Sequence, residues 1–287
     1  MKRFRLVAAA AVVLVLAVRG PGHGGDAHAA WPPNEGDDLK QRVNQPNDPG
    51  YPGRWNYFSY IPDSVLRPGE LTEYERMIGS GFHADRAWIK TQGHPQILIG
   101  ELDSGIEWNS DDLTNRFYLS RGELPEPETA CRGAVPRNPA DGWDANGDGR
   151  FNMQDYSNQS GGALPTTACD SRVSDKNGNS ILDPEDLIMT FSDGTDADGN
   201  GYIDDISGWD FFDNDNNPKD DVQFGHGTGE ANDSTAQANN GRGSAGVCPD
   251  CSVVMLRCGD SFVVDAGDFA MATLYAVDNG ASIIQEA

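Results

Sequence analysis

Two short apolar runs organise the chain. Residues 96–102, Gln-Ile-Leu-Ile-Gly-Glu-Leu, lie between Pro95 and Asp103-Ser104-Gly105. Their length and isoleucine content predict a buried strand ending at Asp103. Residues 252–256, Ser-Val-Val-Met-Leu, predict a second strand, closed by Gly259. A helix is predicted over roughly residues 264–278, with Ala270, Leu274 and Val277 spaced as one apolar face and Asn279-Gly280 as its stop. Residues 281–284 then begin another strand. Strand, helix, strand is a βαβ unit and implies a parallel sheet with a right-handed crossover. No complete doubly wound sheet fits between there and Ala287.

The flanking pattern differs. Lys2, Arg3 and Arg5 precede an apolar run at residues 6–18, and Ala27-His28-Ala29 offers small residues for cleavage. This predicts a secretory signal peptide over residues 1–29, its apolar run shorter than the ~20 residues of a membrane span. Residues 31–67 are rich in Pro, Asn, Asp and Gly, with an aromatic island at Trp55-Asn56-Tyr57-Phe58. They read as an extended segment wrapping a surface, without a core of its own. Residues 71–88 have helical character, with Thr72 as N-cap ahead of Glu73 and Glu75. Residues 30–90 thus form an N-terminal extension and first helix, and residues 91–287 a main domain.

Charge changes the picture in one place. The 287 residues carry a net charge of −24, which excludes nucleic acid and anionic membranes as expected partners. Within residues 141–221, 19 acids face only Arg150, Arg172, Lys176 and Lys219, so this insertion must stay loose or hold cations. The twelve residues from Asp144 to Asp155 match a calcium loop. Asp144, Asn146 and Asp148 stand at places 1, 3 and 5, Gly149 at the turn, the Arg150 carbonyl at place 7 and Asp155 at place 12. A second loop has Asp175, Asn177 and Asn179, continuing to Asp183 and Asp186, with Ser180 where glycine is preferred. A third has Asp196, Asp198, Asn200 and Tyr202, with Asp204 and Asp205 following and Ser207 at place 12. The competing account is a set of Asx turns in a solvated loop.

Export permits disulfides among Cys131, Cys169, Cys248, Cys251 and Cys258. Cys131 and Cys169 bracket an acidic loop and are expected to pair. The other three suggest one local disulfide and a leftover thiol, since no histidine lies close by for a metal site.

The candidate chemistry sits at two motifs. Asp103 follows the first strand in Leu102-Asp103-Ser104-Gly105-Ile106, where a buried carboxylate can orient a histidine. His226 lies in Phe224-Gly225-His226-Gly227-Thr228, whose small neighbours let an imidazole face a cleft. In this order they resemble the subtilisin-like serine peptidases, which pair Asp-Ser-Gly after a first strand with His-Gly-Thr at a helix start. Residues 81–88, 199–205 and 208–211 and Gly246-Val247-Cys248-Pro249 are similar to the family as well, so the likeness spans about residues 47–287.

The resemblance implies a three-layer α/β fold with a parallel sheet, incomplete at the C-terminus, and with inserted calcium-binding loops. It implies a serine endopeptidase with Asp103 and His226 as acid and base, protein or peptide substrates, a monomeric extracellular state and no membrane association after signal cleavage. The family's Gly-Thr-Ser nucleophile motif does not occur in these residues. Gly229-Glu230-Ala231 replaces the family's usual His or Ser and apolar residues, and Gln285-Glu286-Ala287 stands where Asn-Met-Ser is common. Asn232, Asp233 and Ser234 are poor helix formers, so the helix carrying His226 is expected to fray. A non-catalytic secreted calcium-binding protein, either a pseudopeptidase or a dockerin-like module, is the alternative class.

Overall fold

A computed structural model describes residues 31–62, 67, 69–72, 75, 81–132, 141–261 and 265–286. The expected signal peptide and much of the helix expected over 71–88 lie outside them. Among the described residues, no helix is long and apolar enough to cross a membrane.

Strands β1 (Leu98–Asp103), β2 (Gly208–Asp210), β3 (Ser252–Arg257) and β4 (Ile283–Gln285) form one parallel sheet in the order β2-β3-β1-β4. β1 and β3 run in register from Leu98 opposite Ser252 to Asp103 opposite Arg257, and both are buried at every position. Full burial is why they read as continuous apolar runs instead of alternating ones. Alternation still decides which layer each side chain meets. Val253 and Met255 pack with Ala231 of helix α3 (His226–Thr235), and Leu98, Leu102, Val254 and Leu256 pack with helix α4 (Ala266–Asp278). The sheet therefore lies between two helices, as the α/β reading requires. Asp103 and Glu101 share the α3 side of β1.

Three sequence expectations are corrected. α4 turns Ala272, Tyr275 and Ala276 to the sheet, while Ala270, Leu274 and Val277 face outward. The cause is close approach at one point: a Cβ on Gly100 of β1 would stand 2.9 Å from the Ala276 Cβ, so alanine fits the tightest contact, and the Tyr275 ring packs beside it. α3 does not fray. Ser234 and Thr235 hydroxyls donate back to the Ala231 carbonyl at 3.0 and 2.9 Å, and the Asn232 amide donates to the Thr228 carbonyl at 2.8 Å. Tyr57 donates to the Asp233 carbonyl, whose own carboxylate pairs with Arg54.

The third correction concerns the N-terminal segment. Tyr51, Tyr57, Phe58, Tyr60, Ala84 and Trp88 bury one another, with Ala245, in a cluster separate from the sheet core. Of the helix expected over 71–88, Glu75 is helical with its N–H on Thr72 Oγ1, the expected N-cap, at 3.3 Å, and the last turn is α1 (Ala84–Ala87). His83 precedes it in a left-handed conformation (φ 66°), because the Phe82 N–H is bonded to the Asn56 carbonyl instead of continuing a helix.

The acidic insertion is built into the domain. Met153, Tyr156, Leu187 and Ile188, the last two on helix α2 (Pro184–Phe191), share the core of Ile106, Phe117 and Val253. Cys131 and Cys169 are disulfide-bonded, as are Cys248 and Cys251; Cys258 is free and buried, and burial pushes its thiol up to about 12. Arg257, 2% exposed, binds four carboxylates at 2.6–2.7 Å: Asp210 at the end of β2, Asp213 just after it, Asp221 before α3, and Asp260 after β3.

Arg257→Met leaves the fully buried Asp210 without its cation. We expect a loss of about 3–5 kcal/mol in denaturant unfolding; a change below about 1 kcal/mol, the range of an exposed pair, would show that Arg257 is not the anchor of these loops.

Candidate active site

The two motifs meet because their glycines let two backbones touch. Gly105 turns the chain out of β1 with φ 105°, and a Cβ there would stand 2.8 Å from the Asp220 nitrogen. Gly225 begins α3 with φ 80°. A Cβ on Gly227 would lie 2.5 Å from the Gly105 carbonyl oxygen and 3.0 Å from the Asp103 Cβ, so only glycine admits this contact. The remaining motif residues fasten it. The Gly227 N–H donates to Ser104 Oγ at 3.1 Å, and the Glu107 N–H donates to Thr228 Oγ1 at 2.8 Å. Asp220 accepts the Phe224 and Gly225 N–H groups at 3.1 and 2.5 Å, holding the turn that leads into the helix.

This contact sets His226 over Asp103. Nδ1 lies 2.9 and 3.0 Å from the two carboxylate oxygens of Asp103, which is 1% exposed, whereas the imidazole is 37% exposed. The network assigns the proton to Nδ1 and leaves Nε2 as the accepting, outward atom. Asp103 Oδ1 also accepts the Ser104 N–H at 2.5 Å, and Phe224 stacks on the imidazole at 6.0 Å. The bond to Asp103, with the charges of Asp103 and Glu230 adding to it against desolvation, raises His226 above the usual histidine range. Because the folded value is raised, this pair stabilises the fold below the ordinary histidine pKa, and that contribution fades as pH rises through the raised value. The arrangement is one that can serve as a general base with its orienting carboxylate.

The family model for the subtilase family matches residues 95–287, which include both motifs. The chain belongs to the subtilase family. It is also similar to a thermophilic serine proteinase of Bacillus sp. (strain AK1), 37% identical over 99 residues. Those residues are 34% of this chain and 24% of that proteinase, so the likeness spans about a quarter of the relative.

In this subtilase the acidic loops keep the turn geometry their spacing predicts. Asp144 accepts the N–H groups of Asp148 and Gly149, Asp175 those of Gly178, Asn179 and Ser180, and Asp196 those of Gly199, Asn200 and Gly201. Ser180 adopts the left-handed conformation (φ 73°) that its place demands. The first two loops close alike: Asp155 accepts the Asn146 and Asn152 N–H groups, and Asp186 those of Lys176, Asn177 and Asp183. The Arg150 side chain reaches away, to Ser252 and to the Asp250 and Cys251 carbonyls, leaving only its own carbonyl for an ion. Asp183 accepts from Asn177 and Asn179 and caps α2. In the third loop Asp204 instead binds the Asp193 and Gly194 N–H groups, and the Tyr202 ring packs on Trp209 and Tyr275. Oxygens of Asp198 and Asp205 lie within 4.8 Å of one another and of Glu123, a residue the spacing could not reveal. Asp205 is fully buried, and its Oδ1 has no hydrogen-bond partner.

Two further acids at the dyad were not singled out from sequence as site residues. Glu230 lies one helical turn beyond His226, its Oε1 3.9 Å from Nε2. Glu101, two residues before Asp103, is fully buried with neither carboxyl oxygen bonded. Burial, reinforced by Asp103 and Glu230, pushes it up to about 9. An acid inside an apolar strand, in phase with Asp103, was the available signal.

Since the folded value of Glu101 lies above its unfolded one, the native state holds a proton that the unfolded chain releases, and stability falls as pH rises from about 4.3 toward 9. Glu101→Gln should therefore raise the melting temperature relative to the parent at pH 8 and hardly at all near pH 4. A difference independent of pH would show that Glu101 does not carry this proton.

Proposed function

We propose that this chain is the acid–base part of a secreted, calcium-stabilised subtilisin-like serine endopeptidase. The observation that carries the reading is the 2.9 Å bond from His226 Nδ1 to a buried Asp103, with the imidazole itself partly exposed. In the reaction a serine hydroxyl attacks the peptide carbonyl. His226 accepts the hydroxyl proton at Nε2 and then donates it to the leaving amine, while Asp103 keeps Nδ1 protonated and steadies the imidazolium. The Gly-Thr-Ser motif that would supply this serine is not among the 287 residues. Substrates are proteins or peptides, and the exported form acts as a monomer after cleavage near residue 29.

Calcium is the cation the loops fit, because their donors are carboxylates, amides and backbone carbonyls. Asp144, Asn146, Asp148 and Asp155 would hold one ion, Asp175, Asn177, Asn179 and Asp186 a second, and Asp198 and Asp205 a third with Glu123. The partnerless Asp205 oxygen supports the last of these most directly. Bound calcium supplies the positive charge that an insertion of 19 acids lacks. The dockerin-like alternative is disfavoured because the loops share a core with β3 and are not a unit of their own.

Residues 1–287 produced with calcium should cleave no casein. Cleavage that disappears in His226→Ala would contradict this, because it would mean that a nucleophile lies within these residues. Calcium at about 100-fold over its dissociation constant should stabilise the protein by about 2.7 kcal/mol per site, read as a higher melting temperature than in chelator. Identical melting in both would remove calcium from the account.

A further inference from the structure

Asp103 and Glu230 face the imidazole directly, and neighbouring elements bring further groups to the residues that hold it. β1 presents Asp103 and, in phase with it, Glu101. α3 presents Glu230 one turn beyond His226. β4 presents Gln285, the register partner of Glu101. The turn before α3 presents Asp220, whose oxygens already bind the Phe224 and Gly225 N–H groups. After β3, the Cys258 N–H holds the Asp103 carbonyl at 2.8 Å, and its buried thiol takes no part.

The Gln285 amide joins two of these elements. Its Nε2 donates to the Glu230 carbonyl at 3.2 Å and to Glu230 Oε2 at 3.3 Å, so one side chain of β4 grips both ends of the glutamate. The other carboxylate oxygen, Oε1, is left facing His226 Nε2. Beneath them Glu101 contributes a carboxyl without a partner, and its neutral form keeps a further negative charge away from the pair. The two positions at which this chain departs most plainly from the family pattern, Glu230 and Gln285, are therefore bonded to each other at the catalytic base.

We propose that Glu230 is a positioning residue for His226, its carboxylate held by Gln285 against the Nε2 side of the imidazole. The inference rests on the serine-peptidase reading of His226. In that reading the neutral imidazole takes the nucleophile's proton at Nε2, and Glu230 is the anion that faces the imidazolium whenever Nε2 is protonated. The same contact favours the protonated imidazole in the resting protein, so His226 becomes available as a base at higher pH than Asp103 alone would set.

The test is the titration of His226 in the calcium-loaded full chain, followed by NMR of the imidazole Cε1 proton. Glu230→Gln should lower the midpoint by about 0.5–1 pH unit, the size expected on removing an opposite charge at this distance and exposure. Gln285→Leu keeps the charge of Glu230 but frees its carboxylate. It should lower the midpoint by a smaller amount in the same direction, which a general loss of negative charge would not produce. Asp103→Asn reports on the acid–base pair itself and should lower the midpoint whatever stands at residue 230. A midpoint unmoved by Glu230→Gln and by Gln285→Leu, but lowered by Asp103→Asn, would overturn the role of Glu230 and leave the peptidase reading standing. A midpoint unmoved by all three would overturn both.

Discussion

The contact between the Gly105 carbonyl and Gly227 governs the site. It is the point where the end of β1 and the start of α3 come within backbone distance, and a side chain at Gly227 would push them apart. With that contact made, the His226 Nδ1 bond to Asp103 follows from the two backbones, and Ser104 and Thr228 lock it through their hydroxyls. Asp-Ser-Gly and His-Gly-Thr are thus two halves of one joint. Each residue in them either removes bulk, makes a hydrogen bond across the joint or carries the chemistry.

The joint needs a rigid support, and the sheet supplies it. Continuous burial of β1 and β3 fixes their register, which puts Asp103 opposite Arg257. Arg257 then gathers carboxylates from the end of β2, from the segment before α3 and from that after β3. One buried cation ties the acidic insertion to the strand beside Asp103. On the opposite face, Gly100, Ala272 and Ala276 let α4 sit close to the sheet, and the Tyr275 hydroxyl reaches across to Asp205 at 2.6 Å. Through that bond the third acidic loop touches the helix layer directly.

Much of this is legible in the sequence, because the Asp-Ser-Gly and His-Gly-Thr motifs and the two main strands are local signals. Asp103 after an apolar run, His226 between glycines and the twelve-residue spacing of the first two acidic loops each state their geometry within a few residues. The facing of α4 is not legible from periodicity, which favours Leu274 and Val277, whereas the close contact at Gly100 takes Ala276, with Ala272 and Tyr275 on the same side. α3 was expected to fray because helix propensity takes no account of the Tyr57 and Arg54 contacts at Asp233. Glu123 and Gln285 could not be placed. Glu123 comes near Asp198, and Gln285 near Glu230, only through the tertiary fold.

The central claim is that His226 and Asp103 form a catalytic base and its orienting acid. The most direct measurement is the NMR resonance of the His226 Nδ1 proton in the calcium-loaded chain. A proton held between the imidazole and a buried carboxylate should be strongly deshielded and slow to exchange, and it should vanish in Asp103→Asn. A His226 whose Nδ1 proton exchanges as in a free imidazole, and which titrates alike in the parent and in Asp103→Asn, would contradict the account.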